Sequence, residues 1–209
     1  MRELLPVLPI AGLGLGLLAE GRRAGVAPLP PLIAPALEAS GVSNPVTAVL
    51  LNFRAWDTLL ELAVLLLALA ASWTLGVPER SLPGPAEPLV DVLARVLLPP
   101  LLVTALYLLW IGSKAPGGAF QAGATLAGGA VLLFLARQLP WLPGESGPLR
   151  AGIAAGPAIF LLVGCVTGLQ TPLLTYRGGA AFASILGIEV AATVSIAAIL
   201  AALFARSPR

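Results

Sequence analysis

The stretch Asn44-Pro45-Val46-Thr47-Ala48-Val49-Leu50-Leu51-Asn52-Phe53-Arg54-Ala55-Trp56-Asp57-Thr58-Leu59-Leu60-Glu61 leads into an uncharged apolar run over residues 62–75. It decides the fold class, because with that run the largely apolar stretch over residues 45–75 exceeds the roughly 20 residues a bilayer-crossing helix needs. Asp57 and Glu61 are four apart and Arg54 is three before Asp57, so on one helix all three share a face. Charges in hydrocarbon are costly unless they are paired or face a wet cavity. The cluster therefore points to a device that handles ions rather than to an anchor.

The same stretch poses a geometric question. Asn44-Pro45 is a helix start, with Asn as N-cap and Pro in the first turn, and Gly76-Val77-Pro78 is a stop. A continuous helix between them would be about 46 Å long, against a hydrocarbon core of about 30 Å. Either it is tilted and protrudes, or it breaks near Arg54–Asp57. A continuous helix puts the acids well inside the membrane. A helix starting at Thr58 would put them at the interface, since Thr58-Leu59-Leu60-Glu61 matches a capping box.

Apolar runs recur on either side of this stretch. Six candidate spans cover residues 4–19, 45–75, 89–111, 119–136, 151–169 and 180–204. The chain of 209 residues is 58% hydrophobic and 11% charged, where soluble domains carry about 25% charged residues. The expected fold is all-α, a polytopic membrane protein. Residues 4–19 follow Met1-Arg2-Glu3 as a signal peptide would, but no A-x-A-like site follows, so they are read as a retained first helix. Pro/Gly-rich linkers at 25–43 and 76–88 divide the chain, and the second sets a boundary between residues 1–80 and 88–209. Six spans put both termini on one side, and that side holds seven of the twelve basic residues, a weak lean toward cytoplasmic termini. Trp73, Trp110, Trp141 and Tyr176 fall near span ends, where an aromatic belt would sit.

Composition excludes several chemistries. The sequence has no histidine and one cysteine, Cys165. An internal disulfide, a His/Cys metal site, haem ligation and a Ser-His-Asp triad are all ruled out. Cys165 is expected to be a buried, inert small residue. A net charge of +2 without a basic tract gives no reason to expect nucleic acid.

Other polar positions invite a chemical reading. Glu189 is the only charge between Arg177 and Arg206, about nine residues into the last span, with Thr193 at i+4. An intramembrane acid of this kind is a functional candidate, with a neutral packing role as the alternative. Gln121 follows a glycine-rich turn, Gly112-Ser113-Lys114-Ala115-Pro116-Gly117-Gly118, and could line a path into the fourth span. That turn is no phosphate loop, because it lacks the GxxxxGK[ST] order and a preceding strand. Lys114 is either an interfacial charge or a member of an ion path. Pro99-Pro100 should kink the third span. Asp91 and Arg95 read as a surface pair. Gly12-Leu13-Gly14-Leu15-Gly16 suggests tight helix packing.

The segment from Asn44 to Glu61 resembles the "NxVTAILxDFRGxDTLxE" motif of the MbhE-type module. That module is found near the end of the large subunit of Mrp antiporters, and as a small subunit of membrane-bound hydrogenases. Residues 97–123, with Thr167-Gly168-Leu169, Thr171-Pro172-Leu173-Leu174-Thr175 and Ile188-Glu189-Val190, resemble the MrpB (MnhB) family of small subunits in Mrp-type multisubunit Na+/H+ antiporters. Asn52 and Ala55 stand where the first motif often has an acid and a glycine. Lys114 and Ala119 replace a polar residue and a glycine in the second. The resemblance implies an MbhE-like module fused to an MrpB-like module in a prokaryotic inner membrane. It further implies large antiporter-like and small subunits as partners, Na+ and H+ as transported ions, no cofactor and no enzymatic reaction. It marks Asp57 and Glu61 as ion-path residues, with Arg54 keeping one ionised and Glu189 as a second acid. Two other roles fit the same helices: a membrane-arm subunit of a redox-driven ion pump, and a scaffold in which the acids only cap helices.

Overall fold

In a computed structural model of the chain, the described residues are 36–76, 85, 87–138, 146–169, 176 and 181–206. The expected first span at 4–19, the Gly12–Gly16 stretch, Trp141, Thr171–Thr175 and most of both linkers lie outside them. Residues Ala36–Arg209 form one compact unit. Its elements are α1 (Pro45–Ala48), a π-turn (Val49–Phe53), α2 (Ala55–Thr74), α3 (Pro88–Ile111), α4 (Ala119–Leu135), α5 (Gly147–Thr167) and α6 (Ala181–Ala205). No strand occurs among the described residues.

Four of these helices, α2, α3, α5 and α6, are long and apolar enough to cross a membrane, and α4 is a shorter apolar helix of 17 residues. The expected third to sixth spans are thus present with shifts of a few residues at their ends. The chain is an all-α, multi-pass membrane protein. α6 is the hub: it packs against α5, α4 and α2, while α3 packs chiefly on α4. Small residues bring the backbones together. A methyl on Gly123 would meet the Ile196 side chain at 2.8 Å, and one on Gly156 would meet Ser195 Cβ at 2.7 Å. Ser195 then donates its hydroxyl to the Ile153 carbonyl, tying α6 to α5.

The long second span is broken, not continuous. After one turn of α1 the chain widens into the π-turn, where the Arg54 N–H donates to the Val49 carbonyl at 2.7 Å. Arg54 leaves helical geometry (φ −131°, ψ 40°), and α2 begins at Ala55. The break is one turn earlier than a capping box would put it. Thr58 lies inside α2, and its hydroxyl donates to the Leu50 carbonyl (2.6 Å), an acceptor that the widened turn frees.

Two other expectations are corrected. Cys165 is exposed, because α5 turns Gly156, Phe160 and Gly164 inward and the next position points about 100° away. Tyr176 is no belt residue; it is 1% exposed, in a core with Leu51, Leu62, Phe160 and Ile188. Pro99 and Pro100 lie inside a single helical element, α3. The Asp91–Arg95 pair is at the surface as expected, at 2.9 Å, and Gln138 also donates to Asp91.

Candidate functional site

The broken span and the glycine-rich turn before α4 complete each other. Asn44 caps α1 through Oδ1, which accepts from the Val46 N–H. Its amide nitrogen donates to the carbonyls of Gly112 (2.8 Å) and Ala115 (2.9 Å). Thr47 donates to the same Gly112 carbonyl, and the Ser43 and Asn44 N–H groups both donate to Ser113 O. Irregular backbone at membrane depth is tolerated only where protein groups pair it, and here two irregular segments pair one another.

A second clasp lies beside the first. The Asn52 amide faces the Tyr176 backbone. Its oxygen accepts from the Tyr176 N–H (3.0 Å), and its nitrogen donates to the carbonyls of Tyr176 (2.8 Å) and Ser40 (3.2 Å). Both carbonyls need a donor, so the amide's orientation is fixed. An aspartate here could not donate to either. Asn52 therefore has a structural reason to be an amide where the resembling motif has an acid.

Between these clasps and α6 lies a cavity of about 260 Å³. Its lining includes Thr47, Thr58, Glu61, Gly118, Gln121 and Glu189. Glu189 is 4% exposed, and its carboxyl projects from the hub helix toward the turn. A methyl group on Gly118 would stand 3.0 Å from Glu189 Oε1, and one on Gly112 would stand 3.3 Å away. Gly118 also has φ +106°, a region that L side chains rarely adopt. The turn is bare because a carboxyl group occupies the space. Among the described residues no hydrogen-bond donor serves the Glu189 carboxyl, and no lysine or arginine lines the cavity. Thr193, at i+4, donates its hydroxyl to the Glu189 backbone carbonyl at 2.7 Å. At roughly 30 Å³ per water molecule, the cavity has room for several waters.

Of the six candidate residues, the structure brings Glu61, Gln121 and Glu189 to one cavity. Arg54 and Asp57 pair with each other at 2.7 Å, largely exposed, and do not line it. Lys114 is exposed on the turn and does not line it either. Sequence reading gave no site role to Thr47, Thr58, Gly112 or Gly118. The available signal was polar residues spaced through an apolar run, facing glycines in a turn. Their meeting depends on tertiary packing.

Residues 89–205, more than half of the chain, match the family described as "Domain related to MnhB subunit of Na+/H+ antiporter". No curated protein matches the chain. Among solved structures, a chain of the Mrp complex from Dietzia sp. DQ12-45-1b aligns with 99% of this chain at 23% identity and a TM-score of 0.68. This chain spans only 26% of that longer one. A chain of the membrane-bound sulfane sulfur reductase, an archaeal respiratory membrane complex, aligns with 98% of this chain over 97% of its own length, at 23% identity and a TM-score of 0.71. At such identities the likeness is one of fold.

Proposed function

We propose a function that starts from one fact: the chain belongs to the family of domains related to the MnhB subunit of Na+/H+ antiporter. On our reading it is a membrane subunit of a multisubunit cation/proton antiporter complex, with Na+ as the exchanged cation. It supplies part of the ion path and part of the assembly surface, in a prokaryotic inner membrane. The observation that carries this reading is Glu189, a carboxyl on the hub helix facing a cavity shared with Glu61 and Gln121 and lined by no base among the described residues.

A carboxyl group so placed is stable either protonated or with a cation beside it. Alternation between those two states is the elementary step of cation/proton exchange. The proton on the Glu189 carboxyl leaves through cavity water as the cation arrives, and the carboxylate oxygens with the Gln121 amide oxygen replace part of its hydration. Glu61, exposed at the rim, is the next carboxylate outward. The Arg54–Asp57 pair stands at the α2 start, where it sets the local field without lining the cavity. The membrane potential supplies about 2.3 kcal/mol per charge per 100 mV to drive exchange. A single chain with so few polar lining residues needs partner subunits to complete a path. The two sequence modules, residues 1–80 and 88–209, are on this reading a fused pair of small subunits.

The test is ΔpH-driven Na+ exchange in vesicles carrying the assembled complex. Glu189→Gln is expected to lower the rate at least about tenfold, and Glu61→Gln to lower it less. Wild-type rates in both variants, with normal assembly, would leave only a scaffold role. A second reading has its own support: the end-to-end likeness to a chain of a respiratory complex favours a membrane-arm subunit of a redox-driven ion pump. Iron–sulfur absorbance in the complex purified through this chain would establish that alternative.

A further inference from the structure

The outward face of α2 carries Trp56, Leu60, Val64 and Leu67, exposed by 50, 60, 64 and 68%. Their spacing of three or four residues makes one continuous apolar stripe. Glu61 stands beside Leu60 on the exposed side, about 9 Å along α2 from its start. Among the described residues no cation or donor is paired with its carboxylate. Arg54, the base nearest in sequence, is taken by Asp57, and Lys114 does not line the cavity at whose rim Glu61 stands.

α3 offers the contrast. It exposes Val96, Val103 and Leu106, by 63, 68 and 66%, with no acid among them, a surface that lipid tails cover without cost. Lipid cannot cover α2 in the same way, because its tails offer nothing to a carboxylate. The stripe calls for side-chain packing and the acid calls for a positive charge, and a single protein helix meets both demands.

We propose that the outward face of α2 seats a membrane-spanning helix of another subunit, which places a lysine or arginine against Glu61. That base would complete from outside a cavity that holds two carboxyl side chains and, among the described residues, no lysine or arginine. The inference goes beyond the antiport reading, since it holds whether or not ions cross here, and its test reads contact rather than transport.

A photocrosslinking amino acid placed at Leu60 or Leu67, both exposed, is activated in the assembled complex in its membrane, and the adducts are mapped by mass spectrometry. Both positions are expected to label one transmembrane segment, with a lysine or arginine within about one helical turn of the Leu60 adduct. Glu61→Lys in the crosslinker chain is expected to cut the adduct yield about tenfold or more, and changing the mapped base to Glu is expected to restore it. Adducts to lipid alone, or to a segment without a base, would overturn the proposal. The adducts of the chain retaining Glu61 decide this even where Glu61→Lys fails to assemble. Loss of exchange without loss of the adduct would touch only the antiport reading.

Discussion

Glu189 occupies space that two glycines leave open, so the smallest change near it is informative. Gly118→Ala would put a methyl group 3.0 Å from Glu189 Oε1 at a backbone φ of +106°. The cost is about 1–2 kcal/mol of backbone strain, plus displacement of the carboxyl. Exchange is expected to fall about tenfold in vesicles while the complex still assembles, because the turn's own hydrogen bonds come from Asn44 and Thr47. Asn52 and Tyr176 separate a satisfied polar group from an unsatisfied one. Asn52→Ala removes the partners of the Tyr176 N–H and of two carbonyls, at about 1–3 kcal/mol for each buried group left unpaired. It should lower the melting temperature of the purified complex by several degrees. Tyr176→Phe should leave that temperature unchanged or raise it, since the Tyr176 hydroxyl is buried with no partner among the described residues.

At the scale of elements, the break before α2 explains what the sequence could and could not disclose. Hydropathy located α3 to α6 to within a few residues, because each forms on a long, mostly apolar run. It also showed that residues 45–75 were too long for one crossing. A break near Arg54–Asp57 was one of the two readings the sequence left open, and the structure breaks at Arg54; the form of the break was not legible. A π-turn has no residue signature of its own and is stabilised by Thr58 reaching back eight positions to Leu50. Glu189 was legible as a charge alone in an apolar span. Its meeting with Glu61 and Gln121 was not, because that depends on Asn44 and Thr47 holding the turn at Gly112. Cys165 failed for a related reason: which face of a uniformly apolar helix turns inward is set by glycine packing, not by polarity, while Tyr176 is drawn into the core where its backbone pairs with Asn52. Thr58→Val tests the break directly. It keeps the shape and removes the hydroxyl, leaving the Leu50 carbonyl unpaired at about 1–2 kcal/mol. Thermal melting of the purified complex should show that loss, and an unchanged melting curve would mean that another group serves the carbonyl.

At the scale of the molecule, residues 36–76 and 87–206 are held together by three kinds of contact among the described residues of Ala36–Arg209. The Asn44 and Thr47 bonds reach the turn before α4, the Asn52 bonds reach Tyr176, and α2 packs on α5 and α6 through Leu62, Leu69 and their neighbours. The covalent link through residues 77–84 is a fourth connection, and tethering raises the effective concentration of each part for the other. If the modules are a fused pair of subunits, the link is dispensable once the contacts have formed. A protease site introduced at residues 80–82, cut after assembly, should leave both fragments migrating together in mild detergent with exchange retained. Adding Asn44→Ala and Asn52→Ala removes four side-chain hydrogen bonds donated or accepted across the junction. Apolar packing gives little preference for a neighbouring helix over detergent or lipid tails, so these polar bonds carry much of the specificity of association. The cut double variant is therefore expected to separate on blue-native gels while the uncut one stays whole. Fragments that part without any substitution would mean that the link, not the clasps, holds the modules together.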